Sequence, residues 1–155
     1  RLMDGPLLLV CSSGGHLLQL HALREAWEPF QRVWVSFDKT DAAVLLEGER
    51  VIHAYGPTNR NIPNALRNTR LAWEVIRRER PSAILTTGAG VAVPFAWVGR
   101  AFGIPTVYVE SLTRMNELSL SARLIAPVAD RMYAQWPELA DDEGLRFAGN
   151  VFAGS

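Results

Sequence analysis

Only one cysteine, Cys11, and only one lysine, Lys39, occur in 155 residues. A lone cysteine excludes a disulfide within the chain and fits a reducing compartment. Charge of neither sign is in excess. The 16 basic and 16 acidic residues cancel, so nucleic acid is offered no bulk electrostatic attraction and is not expected as a partner. No apolar run approaches the ~20 residues of a membrane-spanning helix. The stretch Pro6 to Val10 is too short for a signal-peptide core, and no cleavage-site pattern follows it. The three histidines and the cysteine lack ligand spacing, so neither a metal nor a cofactor is expected. Gly-x-Gly-x-x-Gly, the P-loop and the Gly-x-Ser-x-Gly nucleophile elbow are all missing. Internal repeats and low-complexity linkers are missing too.

What is present is an alternation of strand and helix signals. An apolar strand, Leu7 to Cys11, meets the turn Ser12-Ser13-Gly14-Gly15, then His16, then a helix to about Trp27. Further strands are expected at Arg32 to Ser36, Val51 to Tyr55, Ala83 to Thr87, Pro105 to Glu110 and Arg131 to Ala134, with one more near Arg146 to Ala148. Helices are expected near Asp41 to Glu47, from about Pro63 to Pro81, over Val91 to Phe102 and near Leu118 to Pro127. In the second of these, Ile62, Leu66, Thr69, Trp73 and Ile76 recur at spacings of three and four, the mark of one buried face. Repeated strand–helix units imply an α/β fold: a Rossmann-like, doubly wound parallel sheet spanning residues 3–155 as one domain. The expected strand order is 3-2-1-4-5-6. Its switch point brings the Ser12 to His16 turn beside a second glycine turn, Thr86-Thr87-Gly88-Ala89-Gly90.

Two glycine turns at one sheet edge suggest a pocket, since backbone N–H groups at a helix start attract an anion. The bland alternative is that these glycines only let helix pack on strand. His16 is the candidate general base, because imidazole exchanges protons near neutral pH; its alternative is a loop-bonding role. Glu110, where an apolar strand meets a polar loop, could accept from sugar hydroxyls or orient another group, or else pair with Arg114. The helix Val91 to Phe102 has Arg100 as its only charge and is either buried on all sides, the commoner case, or turned to a partner or a membrane. Arg60, Arg67, Arg70, Arg77, Arg78 and Arg80 form either a solvated face or a surface attracted to anionic lipid.

Cys11-Ser-Ser-Gly-Gly-His-Leu resembles the opening of the acceptor-side subunit of the split UDP-N-acetylglucosamine transferase of the dolichol pathway. It is similar also to that subunit's bacterial relatives in exopolysaccharide and capsule synthesis. More distantly it resembles the transferase that completes the lipid-linked peptidoglycan precursor. Thr86-Thr-Gly-Ala-Gly-Val-Ala-Val-Pro-Phe, Gly103-Ile-Pro-Thr-Val-Tyr-Val-Glu-Ser and Trp136-Pro-Glu continue the likeness in order. The resemblance implies the N-terminal, acceptor half of a GT-B glycosyltransferase. The membrane anchor usual ahead of the dolichol-pathway subunit is not seen, and the one-piece relative continues past the position of Asn150 into its nucleotide-binding half. The first point favours a bacterial, soluble or peripheral version, and the second one that works with a partner.

The resemblance thus implies the acceptor-binding subunit of a two-component inverting transferase, moving a sugar from a UDP-sugar to a polyprenyl-diphosphate-linked saccharide. Its expected partner is a donor-binding subunit, and its expected place is the cytoplasmic face of a membrane, held peripherally. His16 and Glu110 are the expected catalytic residues. Ser12, Ser13, Gly14, Gly15, Thr87, Gly88, Gly90, Ser111, Arg114 and Asn116 are the expected acceptor-binding residues. Leu145, Phe147, Val151 and Phe152 are expected to anchor the partner, with Asp141, Asp142 and Glu143 at the rim. Two rival readings stay open: a non-catalytic enhancer subunit, and a free-standing Rossmann-like nucleotide-binding enzyme.

Overall fold

The computed structural model describes residues 4–111, 119–134 and 146–147. Strands β1 (Leu7–Cys11), β2 (Arg32–Ser36), β3 (Val51–His53), β4 (Ala83–Gly88), β5 (Thr106–Val109), β6 (Arg131–Ala134) and β7 (Arg146–Phe147) form one parallel sheet in the order β3-β2-β1-β4-β5-β6-β7. The expected order is thus observed, with β7 added beside β6. The helices are α1 (Gly15–Ala22), α2 (Arg24–Trp27), α3 (Thr40–Leu45), α4 (Ile62–Glu79), α5 (Ala92–Ala101) and α6 (Leu120–Ile125).

β1 lies at the centre and is buried along its whole length, which is why it reads as an unbroken apolar run. Its side chains alternate between two cores. Leu8 and Val10 join Val33, Val35, Val75, Ile76 and Phe95 on the α4–α5 side. Leu7, Leu9 and Cys11 join Leu17, Leu20, Trp27 and Trp34 on the α1–α2 side. Burial pushes the Cys11 thiol up to about 12, so it is a packing group and not a nucleophile.

The single helix expected over Gly15 to Trp27 is broken at Leu23. The indole Nε1 of Trp27 donates to the Leu20 carbonyl at 2.9 Å, as does the Leu23 N–H at 3.1 Å. Arg24 would use that acceptor in a continuous helix, so the α-helical ladder stops there.

α4 is the main departure from expectation. Ile62, Leu66 and Trp73 are 73%, 66% and 50% exposed, so this stripe is an outer face, and only Ile76 among the apolar positions of the pattern is buried. The inner face carries Asn64, Asn68, Ala72, Val75 and Ile76. Its asparagines serve the chain that follows β3. Asn68 Oδ1 accepts from the Tyr55 N–H and its Nδ2 donates to the Tyr55 carbonyl, both at 2.9 Å. Asn64 Nδ2 donates to the Pro57 carbonyl at 2.8 Å. A loop returning under a helix must have its backbone groups satisfied, and here polar side chains displace apolar ones from the buried face.

Candidate active site

The two glycine turns meet at the carboxyl ends of β1 and β4, as the switch point requires. The Ser12 N–H donates to the Gly88 carbonyl at 3.3 Å. Thr87 Oγ1 donates to the His16 carbonyl at 2.6 Å, and His16 Nδ1 lies 2.9 Å from the Thr87 carbonyl. A carbonyl can only accept, so Nδ1 carries the hydrogen and the Nε2 of a neutral ring keeps its lone pair. That contact fixes the tautomer and the orientation of the imidazole.

His16 lines a cleft of about 940 Å³. Ala89, Gly90, Ser111 and Ser119 lie at its sheet-edge end. Ala65 and Thr69 of α4, Val93, Pro94, Trp97 and Val98 of α5, and Leu120 and Leu124 of α6 line its walls, together with residues 58–61. The walls lead outward onto a face that α4, α5 and α6 build together. There Trp73 packs edge-on against Phe102 with centroids 4.9 Å apart, and Trp97 Nε1 donates to the Leu124 carbonyl at 2.9 Å. The cleft thus has a polar end at the glycine turns and an apolar side that opens on exposed Ile62, Leu66, Trp97 and Leu120. Contiguous apolar exposure of this kind marks an interaction surface.

The family model described as "Oligosaccharide biosynthesis protein Alg14 like" matches residues 49–151. The chain belongs to the Alg14 family. Within it, the UDP-N-acetylglucosamine transferase subunit ALG14 of Candida albicans is 34% identical over 85 residues, covering 51% of this chain and 39% of that protein. The mouse (Mus musculus) subunit of the same name is 26% identical over 167 residues, covering 87% of this chain and 77% of that one. Among solved structures, Acinetobacter baumannii MurG superposes with a TM-score of 0.70 at 18% identity, over 85% of this chain and 42% of MurG. That likeness is one of fold: this Alg14-family domain shares the Rossmann-like fold of the part of MurG that it covers.

Of the residues singled out from the Alg14-like sequence, His16, Gly90 and Ser111 line the cleft. Ser12, Ser13, Gly14, Gly15, Thr87 and Gly88 build the turns beside it, and Thr87 and Gly88 are buried. Gly88 has φ of 101° and faces Tyr108, where an added Cβ would lie 2.8 Å from the hydroxyl, so glycine is needed on both counts. Arg114 and Asn116 lie outside the described residues, as do the proposed anchors Leu145, Val151 and Phe152 and the rim residues Asp141 to Glu143. Phe147 is described only as part of β7.

Glu110 turns inward from the sheet edge. Its side chain is fully buried and does not line the cleft. Oε1 accepts from Tyr108 Oη at 3.0 Å and the Ser111 N–H at 2.8 Å; Oε2 accepts from the Ser119 N–H at 2.8 Å; Ser119 Oγ lies 3.1 Å from both oxygens. Ser119 in turn caps α6 by accepting from the Ala122 N–H. Glu110 therefore ties the end of β5 to the start of α6 and sets the positions of Ser111 and Ser119. It is a positioning residue.

Two features escaped sequence reasoning. Asp41, in the first turn of α3, accepts from the Gly14 N–H at 2.7 Å and so occupies one donor of the first glycine turn. Its 27-residue separation in sequence leaves no local signal. Arg60 lines the cleft with a left-handed φ of 49°, although sequence alone places it with the surface arginines of α4 and its lead-in.

Proposed function

We propose that this chain is the acceptor-binding subunit of a two-component glycosyltransferase. It moves N-acetylglucosamine or a related sugar from a UDP-sugar to a saccharide carried on a polyprenyl diphosphate, in oligosaccharide or bacterial polysaccharide synthesis. Family membership and the relatives' designation as transferase subunits support the reaction class. The observation that carries the substrate assignment is the cleft itself, which pairs a polar end holding an oriented imidazole with apolar walls opening on an exposed apolar face. An amphipathic acceptor matches both ends.

In this reading the acceptor saccharide lies against the glycine turns. His16 Nε2 takes the proton of the attacking hydroxyl as that oxygen bonds to the donor's anomeric carbon and UDP departs. Ser111, positioned through its backbone N–H by Glu110, presents its hydroxyl to the sugar. A donor-binding partner subunit supplies the UDP-sugar site and closes the cleft against water, where charge stabilisation is strongest. The apolar face of α4, α5 and α6 lies on the cytoplasmic leaflet, with Arg77 one helical turn on from the exposed Trp73; attraction to anionic lipid adds about 1 kcal/mol per basic residue near the membrane. Among the described residues no helix is long and apolar enough to cross a membrane.

The test is His16→Ala in the assembled enzyme. Turnover should fall ~10²–10⁴-fold while the KM for the UDP-sugar stays within a few-fold. Turnover near that of wild type would reduce His16 to a bridge between the two turns and leave this subunit a docking role.

A further inference from the structure

The Ser12 to Gly15 turn is not a free anion cradle. The Asp41 carboxylate already sits on the Gly14 N–H at 2.7 Å, and its negative charge opposes a second anion there. The cleft itself is lined by no carboxylate among the described residues, and Arg60 is its one permanent cation. That guanidinium has no ion-pair partner among the described residues. We propose that Arg60 is the residue that binds the diphosphate of the prenyl-linked acceptor. This rests on the acceptor reading above and adds to it the position of the phosphates, at Arg60 and not on the first glycine turn.

The loop that carries Arg60 is built to hold a fixed position. Asn64 Nδ2 ties it at the Pro57 carbonyl, and Asn61 Oδ1 accepts from the Asn64 N–H at 3.0 Å to close it onto α4. Thr58 rests on the second glycine turn so closely that a Cβ at Gly90 would lie 2.8 Å from its Oγ1. Between these fixed points Arg60, one of the residues lining the cleft, takes a left-handed backbone, uncommon for a non-glycine residue. An arginine fork matches phosphate oxygens two at a time. Beside it Ile62, Trp97, Leu120 and Leu124 offer apolar surface for the first isoprene units. Phosphate and prenyl chain, adjacent in the ligand, would meet adjacent parts of the cleft.

Binding of water-soluble farnesyl diphosphate to the purified chain, followed by titration calorimetry, tests this. The comparison ligands are farnesol and inorganic diphosphate; vesicles containing phosphatidylglycerol separate a lipid-headgroup site from a cleft site. The variants are Arg60→Asn, which removes the charge but suits a left-handed backbone, Arg60→Lys, and Arg100→Asn as an exposed arginine outside the cleft. Farnesyl diphosphate should bind more tightly than either fragment. Arg60→Asn should weaken it roughly tenfold to a hundredfold, as for loss of a charge-assisted contact, with Arg60→Lys between and Arg100→Asn unchanged. Vesicle binding should be weakened far less by Arg60→Asn. Farnesyl diphosphate bound equally by wild type and Arg60→Asn, or weakened equally by Arg100→Asn, overturns the assignment to Arg60 while leaving the acceptor reading standing. Failure of wild type to bind farnesyl diphosphate at all overturns both.

Discussion

Glutamine at position 110 is close to isosteric with glutamate, yet the structure gives it no satisfactory orientation. Oε1 receives the Ser111 N–H and Oε2 the Ser119 N–H, each at 2.8 Å. Whichever oxygen becomes an NH₂ group then faces a backbone donor that cannot turn away. One buried contact is lost and a donor–donor opposition replaces it, at a cost of about 2–3 kcal/mol. Alanine removes both acceptors and leaves a void besides, so Glu110→Ala should cost about 3–5 kcal/mol. Both values follow from urea unfolding midpoints with unchanged slopes. Because Glu110 acts by holding Ser111 and Ser119, turnover per folded molecule of Glu110→Gln should stay within about tenfold of wild type, far from the loss expected of a general acid or base. Wild-type stability in Glu110→Gln would refute the hydrogen-bond account. A fully folded Glu110→Gln with turnover reduced ~10³-fold would return the carboxylate to the chemistry.

Asn68→Asp keeps the acceptor for the Tyr55 N–H but sets an oxygen against the Tyr55 carbonyl, with no solvent to relieve it. It should destabilise by about 3 kcal/mol, and a loss under about 1 kcal/mol in denaturant melts would show that the loop relaxes away from α4. On the outer face, Leu66→Ser with Leu120→Ser removes two side chains that are 66% and 71% exposed. Stability should be nearly unchanged, while co-sedimentation with anionic vesicles falls at least about tenfold; undiminished binding would move the membrane contact elsewhere.

β1 is legible because burial on both faces forces an unbroken apolar run, and its place at the centre makes the switch point, and with it the pairing of the two glycine turns, follow from chain order. α4 shows why pattern alone misleads. Its apolar stripe at three- and four-residue spacing is real, but periodicity says only that one face is apolar and not which way it points. Asn64 and Asn68, four residues apart in a helix that gains little from asparagine, are the signal for a polar inner face. The break at Leu23 depends on a side chain reaching back to a carbonyl, and Trp27 looks like any other apolar residue in the pattern. His16 is recognisable from its turn, whereas its tautomer is set by Thr87, 71 residues away. Glu110 stands where an acid at a sheet edge is expected; that it turns inward is decided by the return of the chain at Ser119.

The division of the enzyme into acceptor and donor subunits is the central claim, and transfer of radiolabelled N-acetylglucosamine from its UDP-sugar to a phytanyl-diphosphate-linked saccharide tests it most directly. The chain, a candidate donor-binding subunit co-expressed with it, and their mixture are assayed side by side. The account predicts product from the mixture, none from this chain alone, and loss of that product when His16 is replaced by alanine. Robust transfer by this chain alone, or by the donor subunit alone at the rate of the mixture, would contradict it.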